Sequence, residues 1–179
     1  MVAHGTNERA EPRPTEAAPK NEVRPGPLVV ERLTHEDIPD ICALYKRVWD
    51  SFPGLPPELT KAWSPTPLEF TSWMEGVTYF AARRDGRMIG AIGCELSDGT
   101  CRLLNLAVDP EHRRSGVATQ LANAGLEWAR HANSSSVWVE TLARFSGAAE
   151  TFKHLGFTEC GTMHRHFLKE DVRLFEQLL

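Results

Sequence analysis

The chain has no C-x-x-C pair, no apolar run long enough to cross a bilayer and no surplus of positive charge. Each absence removes a class of function. Its four cysteines, Cys42, Cys94, Cys101 and Cys160, are scattered, so zinc-binding and dithiol redox motifs are unsupported. Cys94 and Cys101 flank a short turn and can face each other across two strands. Small buried thiols in a reducing compartment are the plainer reading. Spanning a bilayer takes roughly 20 consecutive apolar residues, and no such stretch exists. The N-terminus also lacks the apolar core of a secretory signal. The expected location is the cytoplasm, with no membrane partner. A formal net charge of −4 gives no hint of nucleic-acid binding, which usually shows a basic face. The one basic cluster, His112-Arg113-Arg114, is too short to reverse that. Two alternate histidines, His164 and His166, have no third ligand nearby in sequence, so no metal is expected.

What remains is an ordinary globular composition, 41% hydrophobic and 25% charged over 179 residues, which suits one domain plus a tail. Residues 1–27 are rich in Pro, Glu, Ala, Asn and Arg, with almost no large apolar groups. They cannot bury enough surface to offset chain entropy, so a disordered or loosely docked tail is expected, with the domain over 28–179. The reading of elements runs as follows. A short strand covers 28–32. Thr34 opens a helix with Asp37 as capping partner, and Ile38, Ile41, Cys42, Tyr45, Val48 and Trp49 form its apolar face. Residues 51–65 hold Pro53, Pro56, Pro57 and Pro65 and are expected to be a stiff loop. Thr66-Pro67-Leu68-Glu69 reads as cap, proline at the first helical position and capping glutamate, with Gly76 closing that helix. Strands over 78–83, 88–96 and 101–108 follow, joined at Asp85-Gly86 and Asp98-Gly99. Val117, Leu121, Ala124 and Trp128 mark a helix ending near Ala132. A strand over 137–141 after a helix is expected to run parallel to the strand ending at Val108. A short helix over 146–154, closing strands over 157–163 and 166–169, and a last helical turn over 171–179 complete the pass.

The stretch 103–119 is the most informative. An apolar strand ends at Val108, Asp109-Pro110 break it, and a basic, glycine-containing turn leads into a helix. Such a turn aims several free N–H groups at one spot, and the first helical turn adds more, with the positive end of the helix dipole. Together they form a phosphate cradle. Gly116 and Ala118 keep its backbone open, and Arg113 and Arg114 add charge. A nucleotide P-loop would need Gly-Lys-Ser/Thr, and a dinucleotide fingerprint three spaced glycines; neither is present.

Arg113-x-x-Gly116-x-Ala118, directly after Leu-Ala-Val-Asp-Pro, resembles the acetyl-coenzyme A motif of the GNAT superfamily of N-acetyltransferases, R/Q-x-x-G-x-G/A. A second signature of that family, N-x-x-A-x-x-x-Y-x-x-x-G-F, has Phe145, Ala148, Phe152, Gly156 and Phe157 at its places. The resemblance covers residues 29–169. It implies an α/β fold: a mixed, mostly antiparallel central sheet flanked by helices, with a parallel strand pair that splays apart. It implies acetyl-CoA as co-substrate and an amine acceptor as partner, and is compatible with a homodimer. The strand residues Leu106, Ala107 and Val108 would lie along the pantetheine and acetyl group. Arg113, Arg114, Ser115, Gly116, Val117, Ala118 and Thr119 would hold the pyrophosphate.

Amide formation from a thioester needs a neutral amine, a polarised carbonyl and a base. Within the superfamily, residues 137–157 are most similar to enzymes that acetylate the N-terminus of a ribosomal protein. These carry a Leu-Glu-Val strand whose Glu is the base, and a Tyr twelve residues on that is the acid. Here Glu140 holds the Glu position; strand alternation alone leaves open whether it or its neighbours Trp138 and Thr141 face inward. Phe152 holds the Tyr position and has no proton to transfer, so the acid falls to water, Thr151 or nothing. Ser146 can supply the hydrogen bond that Phe145, in place of Asn, cannot. His112 and His154 are weaker acid–base candidates, and Glu95 is a second candidate base. The acceptor pocket would be built by 52–74 and 164–167, with Trp63 its best aromatic candidate and Trp49, Phe70 and Trp73 behind it. The sequence supports an N-acetyltransferase acting on a primary amine of a small molecule, peptide or protein; the alternative is a non-catalytic acyl-CoA-binding regulatory module.

Overall fold

A computed structural model describes residues 26–179. The expected tail over 1–27 lies outside them, apart from its last two residues. Thr34 anchors the first turn: its N–H and Oγ1–H both donate to Asp37 Oδ2, at 2.8 and 2.9 Å. That turn is a 3₁₀ segment (His35–Asp37), after which α1 (Ile38–Asp50) begins. Ile41, Leu44, Tyr45, Val48 and Trp49 recur at helical spacing and are all buried, which makes one face of α1 a core face. Residues 51–65 are not a continuous loop. Pro57 starts a two-turn helix, α2 (Pro57–Trp63), which buries Leu59 completely. Proline at the first helical position costs no hydrogen bond, so prolines that read as a loop instead initiate a helix. α3 (Pro67–Trp73) has the expected cap, with Glu69 Oε2 accepting the Thr66 N–H at 2.7 Å and Thr66 Oγ1 accepting the Glu69 N–H at 3.3 Å.

The strands are β1 (Val29–Arg32), β2 (Val77–Arg84), β3 (Arg87–Ser97), β4 (Thr100–Val108), β5 (Ser136–Leu142), β6 (Thr158–Phe167) and β7 (Glu170–Leu178). Between them lie α4 (Val117–His131) and α5 (Ser146–His154). Both meander turns are Asp-Gly pairs with positive φ at each residue, 51° and 76° at Asp85 and Gly86, 50° and 77° at Asp98 and Gly99. That is the two-residue hairpin geometry whose twist matches paired strands. The sheet order is β1-β2-β3-β4-β5-β7-β6. Among the described residues only β4 and β5 pair in parallel, over four residues from Thr100↔Ser136 to Leu103↔Val139. Beyond Leu103 the two strands separate.

The C-terminal segment is β7, not the expected helical turn, and the strand expected over 166–169 is the end of β6 plus a turn at Leu168 and Lys169, both with positive φ. The reason is burial on two faces. β7 lies between β5 and β6, with Val172 in a small cluster with Leu59 of α2 and Leu142 of β5, and Phe175 in the α4-side core. Two buried residues three apart mimic a helical period when both faces of a strand are covered.

Candidate active site

The fork between β4 and β5 opens into a cleft of about 1430 Å³. It runs from the turn before α4, along the separated halves of β4 and β5, to the start of α5, and ends between α2 and β6. At the turn, Gly116 caps α4 at φ 80°, and a Cβ there would meet nothing within 4 Å. The glycine is needed for its conformation; the space around it is open. Arg114 is also left-handed, at φ 61°. The first intrahelical bond is Gln120 N–H to Gly116 O, at 3.0 Å. Among the described residues, the N–H groups of Arg114, Ser115, Gly116, Val117, Ala118 and Thr119 have no acceptor within the protein. Six unpartnered donors at a helix N-terminus fit a phosphate-bearing ligand.

The flanking cation is placed differently from expectation. The Arg113 guanidinium donates to Ser51 Oγ at 2.8 Å and lies 4.4 Å from the centre of the Phe52 ring. It ties the turn to the end of α1, while the Arg114 side chain is exposed. Asp109 fixes the turn from below. It is 2% exposed and accepts from Arg47 and Arg87, both at 3.1 Å, and from the Glu111 N–H at 3.2 Å. Burial works against its charge, but these partners outweigh burial and hold the carboxyl below its ordinary range. Asp109, Glu111 and His112 place potential ligand atoms within 4.8 Å of one another; two guanidinium groups already occupy the buried member.

On β4 the strand edge facing the fork can be read from one bond. Asp109 N–H donates to Ile89 O on β3, at 2.8 Å. Polar backbone groups of alternate residues point to the same edge. Ala107 therefore faces β3, and of the three β4 residues expected to meet pantetheine only Leu106 and Val108 turn their N–H and C=O to the fork. A bulge precedes them: the pairing with β3 shifts between Ala91↔Ala107 and Gly93↔Leu104, and Asn105 within it has φ 52°.

On β5, Glu140 is half-buried and lines the cleft. It is ion-paired with Arg102 Nη2. Arg102 also lies 3.6 Å from Glu95 Oε2 and 5.1 Å above the Trp138 ring. One guanidinium thus holds two carboxylates on the cleft floor. At α5, Ser146 is exposed and lines the cleft, while Phe152 is 2% exposed and packs edge-on to Phe157 at 5.6 Å. The Thr151 hydroxyl is spent on Gly147 O, at 2.9 Å. His154 is exposed, with Nδ1 against Glu150 O, and is not among the residues lining the cleft. His164 pairs with Asp171 at 3.2 Å on the surface. Phe70 is fully buried in the core and does not line the cleft, whereas Trp49 and Trp63 join Phe52, Phe145 and Phe167 in one aromatic wall of it. Trp49 meets Trp63 at 4.8 Å, Phe145 meets Phe52 at 4.9 Å, and Trp63 stacks on Phe167 at 5.5 Å. Arg144 clasps this wall, donating to Gly54 O and to both carboxylate oxygens of Glu170.

Sequence reading missed Tyr79, Asn105 and Arg102, which share the cleft with Glu140. The signal was present for one of them: Asn105 is the single polar residue in Leu-Leu-Asn-Leu-Ala-Val.

Among the described residues no helix is long and apolar enough to cross a membrane. A family model described as "Acetyltransferase (GNAT) family" matches residues 41–157. N-alpha-acetyltransferase 30 of Schizosaccharomyces pombe is 24% identical over 146 residues, 79% of this chain and 91% of that protein. Matches to three other curated N-acetyltransferases and synthetases span only 42%, 32% and 60% of their lengths. Two solved structures share the fold. The ribosomal-protein-S18-alanine N-acetyltransferase from Escherichia coli has a TM-score of 0.70 at 20% identity, over 84% of this chain and 93% of that one. The PaiA N-acetyltransferase from Thermoplasma acidophilum, solved in complex with coenzyme A, has a TM-score of 0.74 at 14% identity, over 86% and 99%.

Proposed function

The chain belongs to the GNAT acetyltransferase family, and from that premise we propose that it moves the acetyl group of acetyl-CoA to a primary amine of a small molecule, peptide or protein. The observation that carries the proposal is the run of six unpartnered N–H groups at Gly116, set beside a fork in the sheet. Acetyl-CoA supplies the activated thioester. The N–H groups of residues 114–119 hold its pyrophosphate, with Arg113 keeping the turn against α1. Leu106 and Val108 offer backbone groups to the pantetheine, and the Leu106 N–H faces the thioester carbonyl. Ser146 at the start of α5 is within the same cleft to bond the pantetheine.

Glu140 is the proposed base and takes the amine proton, through water. Its ion pair with Arg102 orients it. Phe152 packs against the cofactor arm and transfers nothing, so the leaving thiolate is protonated from water. The acceptor enters at the α2–β6 end, past the wall of Trp63 and Phe167. Four free cysteines, two of them buried, support a cytoplasmic setting.

Phe152 favours a second reading, a non-catalytic acyl-CoA-binding module. Release of free thiol from acetyl-CoA over a panel of amines, including peptides with free N-termini, separates the two. Release dependent on one amine class supports catalysis. Tight binding of acetyl-CoA with no release from any amine supports the module.

A further inference from the structure

The bulge in β4 carries a polar chain that none of the steps above uses. Asn105 O accepts the Tyr45 hydroxyl at 2.9 Å, and Asn105 Nδ2 donates to Tyr79 Oη at 3.0 Å. Both tyrosines are 1% exposed. Tyr79 starts on β2, two strands away from the fork. It reaches β4 because its partner on β3 is Gly93. A Cβ at Gly93 would lie 2.9 Å from Tyr79 Cε1 and 3.1 Å from Leu104 Cγ. The ring therefore crosses β3 through the space a side chain would fill, and Tyr79 lines the same cleft as Asn105 and Leu106. Its oxygen is already an acceptor, and its own proton meets no acceptor among the described residues. An O–H whose oxygen accepts a hydrogen bond is polarised into a better donor.

We propose that Tyr79 is a catalytic residue that donates a hydrogen bond to the thioester carbonyl oxygen, beside the N–H of Leu106. This rests on the acetyl-CoA reading above. As the amine nitrogen bonds to the carbonyl carbon, the C=O π pair moves onto oxygen, and both donors face that charge. When the pair returns, the C–S bond breaks and the thiolate leaves with its electrons; the amine proton passes to Glu140 or water. The phenol keeps its proton throughout. Burial pushes the Tyr79 hydroxyl up to about 12, against the lowering pull of the Asn105 amide, while a thiol titrates near ~8.5. Handing the proton to the thiolate would be uphill by a factor on the order of a thousand. Tyr79 is thus an oxyanion donor, and does not substitute for the hydroxyl that Phe152 lacks.

The test is the infrared carbonyl band of bound acetyl-CoA labelled isotopically at the carbonyl carbon, compared between the wild-type chain and Tyr79→Phe. Loss of the donor should move the band to higher frequency and lower turnover about 10²–10³-fold. Affinity for free coenzyme A, which has no carbonyl at that place, should stay unchanged by calorimetry. If Tyr79→Phe does not fold, Asn105→Gly keeps the left-handed backbone, releases the phenol and should shift the same band. An unmoved band with coenzyme A bound means that the phenol proton is spent on the Asn105 amide oxygen, which overturns the assignment. Failure of the wild-type chain to bind coenzyme A would overturn the acetyl-CoA reading itself.

Discussion

Gly116 and Glu140 bear the two most direct tests at the residue scale. Gly116 holds φ 80° at the mouth of the cradle, where any other side chain adds strain of about 1–2 kcal/mol. Gly116→Glu adds a carboxylate beside donors meant for an anion. Coenzyme A binding by calorimetry should be abolished in the folded variant; undiminished affinity would remove the turn from the cofactor site. Glu140→Gln preserves shape and removes the proposed base. Turnover should fall roughly 10²–10⁴-fold, most at low pH where the amine is charged, with cofactor affinity unchanged. Full activity across the pH range would shift the role to water or to Glu95, which shares Arg102 with Glu140.

Among the elements, the β6–β7 hairpin is held by an exposed ion pair whose titration gives a signed prediction. Glu159 on β6 receives two bonds from Arg173 on β7, at 2.8 and 2.6 Å. The Arg173 hydrogen bonds come first, and desolvation opposes them; together with Lys153 the result lowers the Glu159 carboxyl to about 2. A carboxylate depressed in the folded state stabilises it fully above the unfolded value, near ~4.3, and loses that contribution as pH falls toward the folded one. The thermal midpoint of Glu159→Gln should therefore lie below that of the wild-type chain at neutral pH, and the gap should close between about pH 4 and about pH 2. A gap that persists at the acid end would mean packing, not charge, sets it. The same hairpin shows where sequence reading stops. Local chemistry made the Asp-Gly turns and the Thr66–Glu69 cap legible, because each rests on neighbours in the chain. β7 was not, because its two-faced burial depends on β5, α2 and α4, none of them near in sequence. The cradle was legible for the same local reason. Tyr79 was hidden because its reach depends on an absent side chain on the adjacent strand, at Gly93.

Over the whole molecule, the described residues 26–179 include three hydrophobic clusters and the residues that line the cleft. The N-terminal 25 residues are poor in large apolar side chains. We propose that they add nothing to the fold or to cofactor binding. A chain beginning at Gly26 should keep its thermal midpoint and its stabilisation by acetyl-CoA; a large drop in either would show that the tail packs on the domain.

The parallel pairing of β4 with β5 spans only four residues, and among the described residues it is the sole strand junction between β1–β4 and β5–β7–β6. In the proposed binding mode, a ligand laid along Leu106 and Val108 would supply rungs that the polypeptide leaves out. At a free concentration of a hundred times Kd, such occupancy adds about 2.7 kcal/mol to stability, a large part of what keeps an ordinary domain folded. If acetyl-CoA binds there as proposed, resistance of the protein to limited proteolysis should rise with acetyl-CoA concentration; unchanged cleavage at saturating acetyl-CoA would argue against that binding mode.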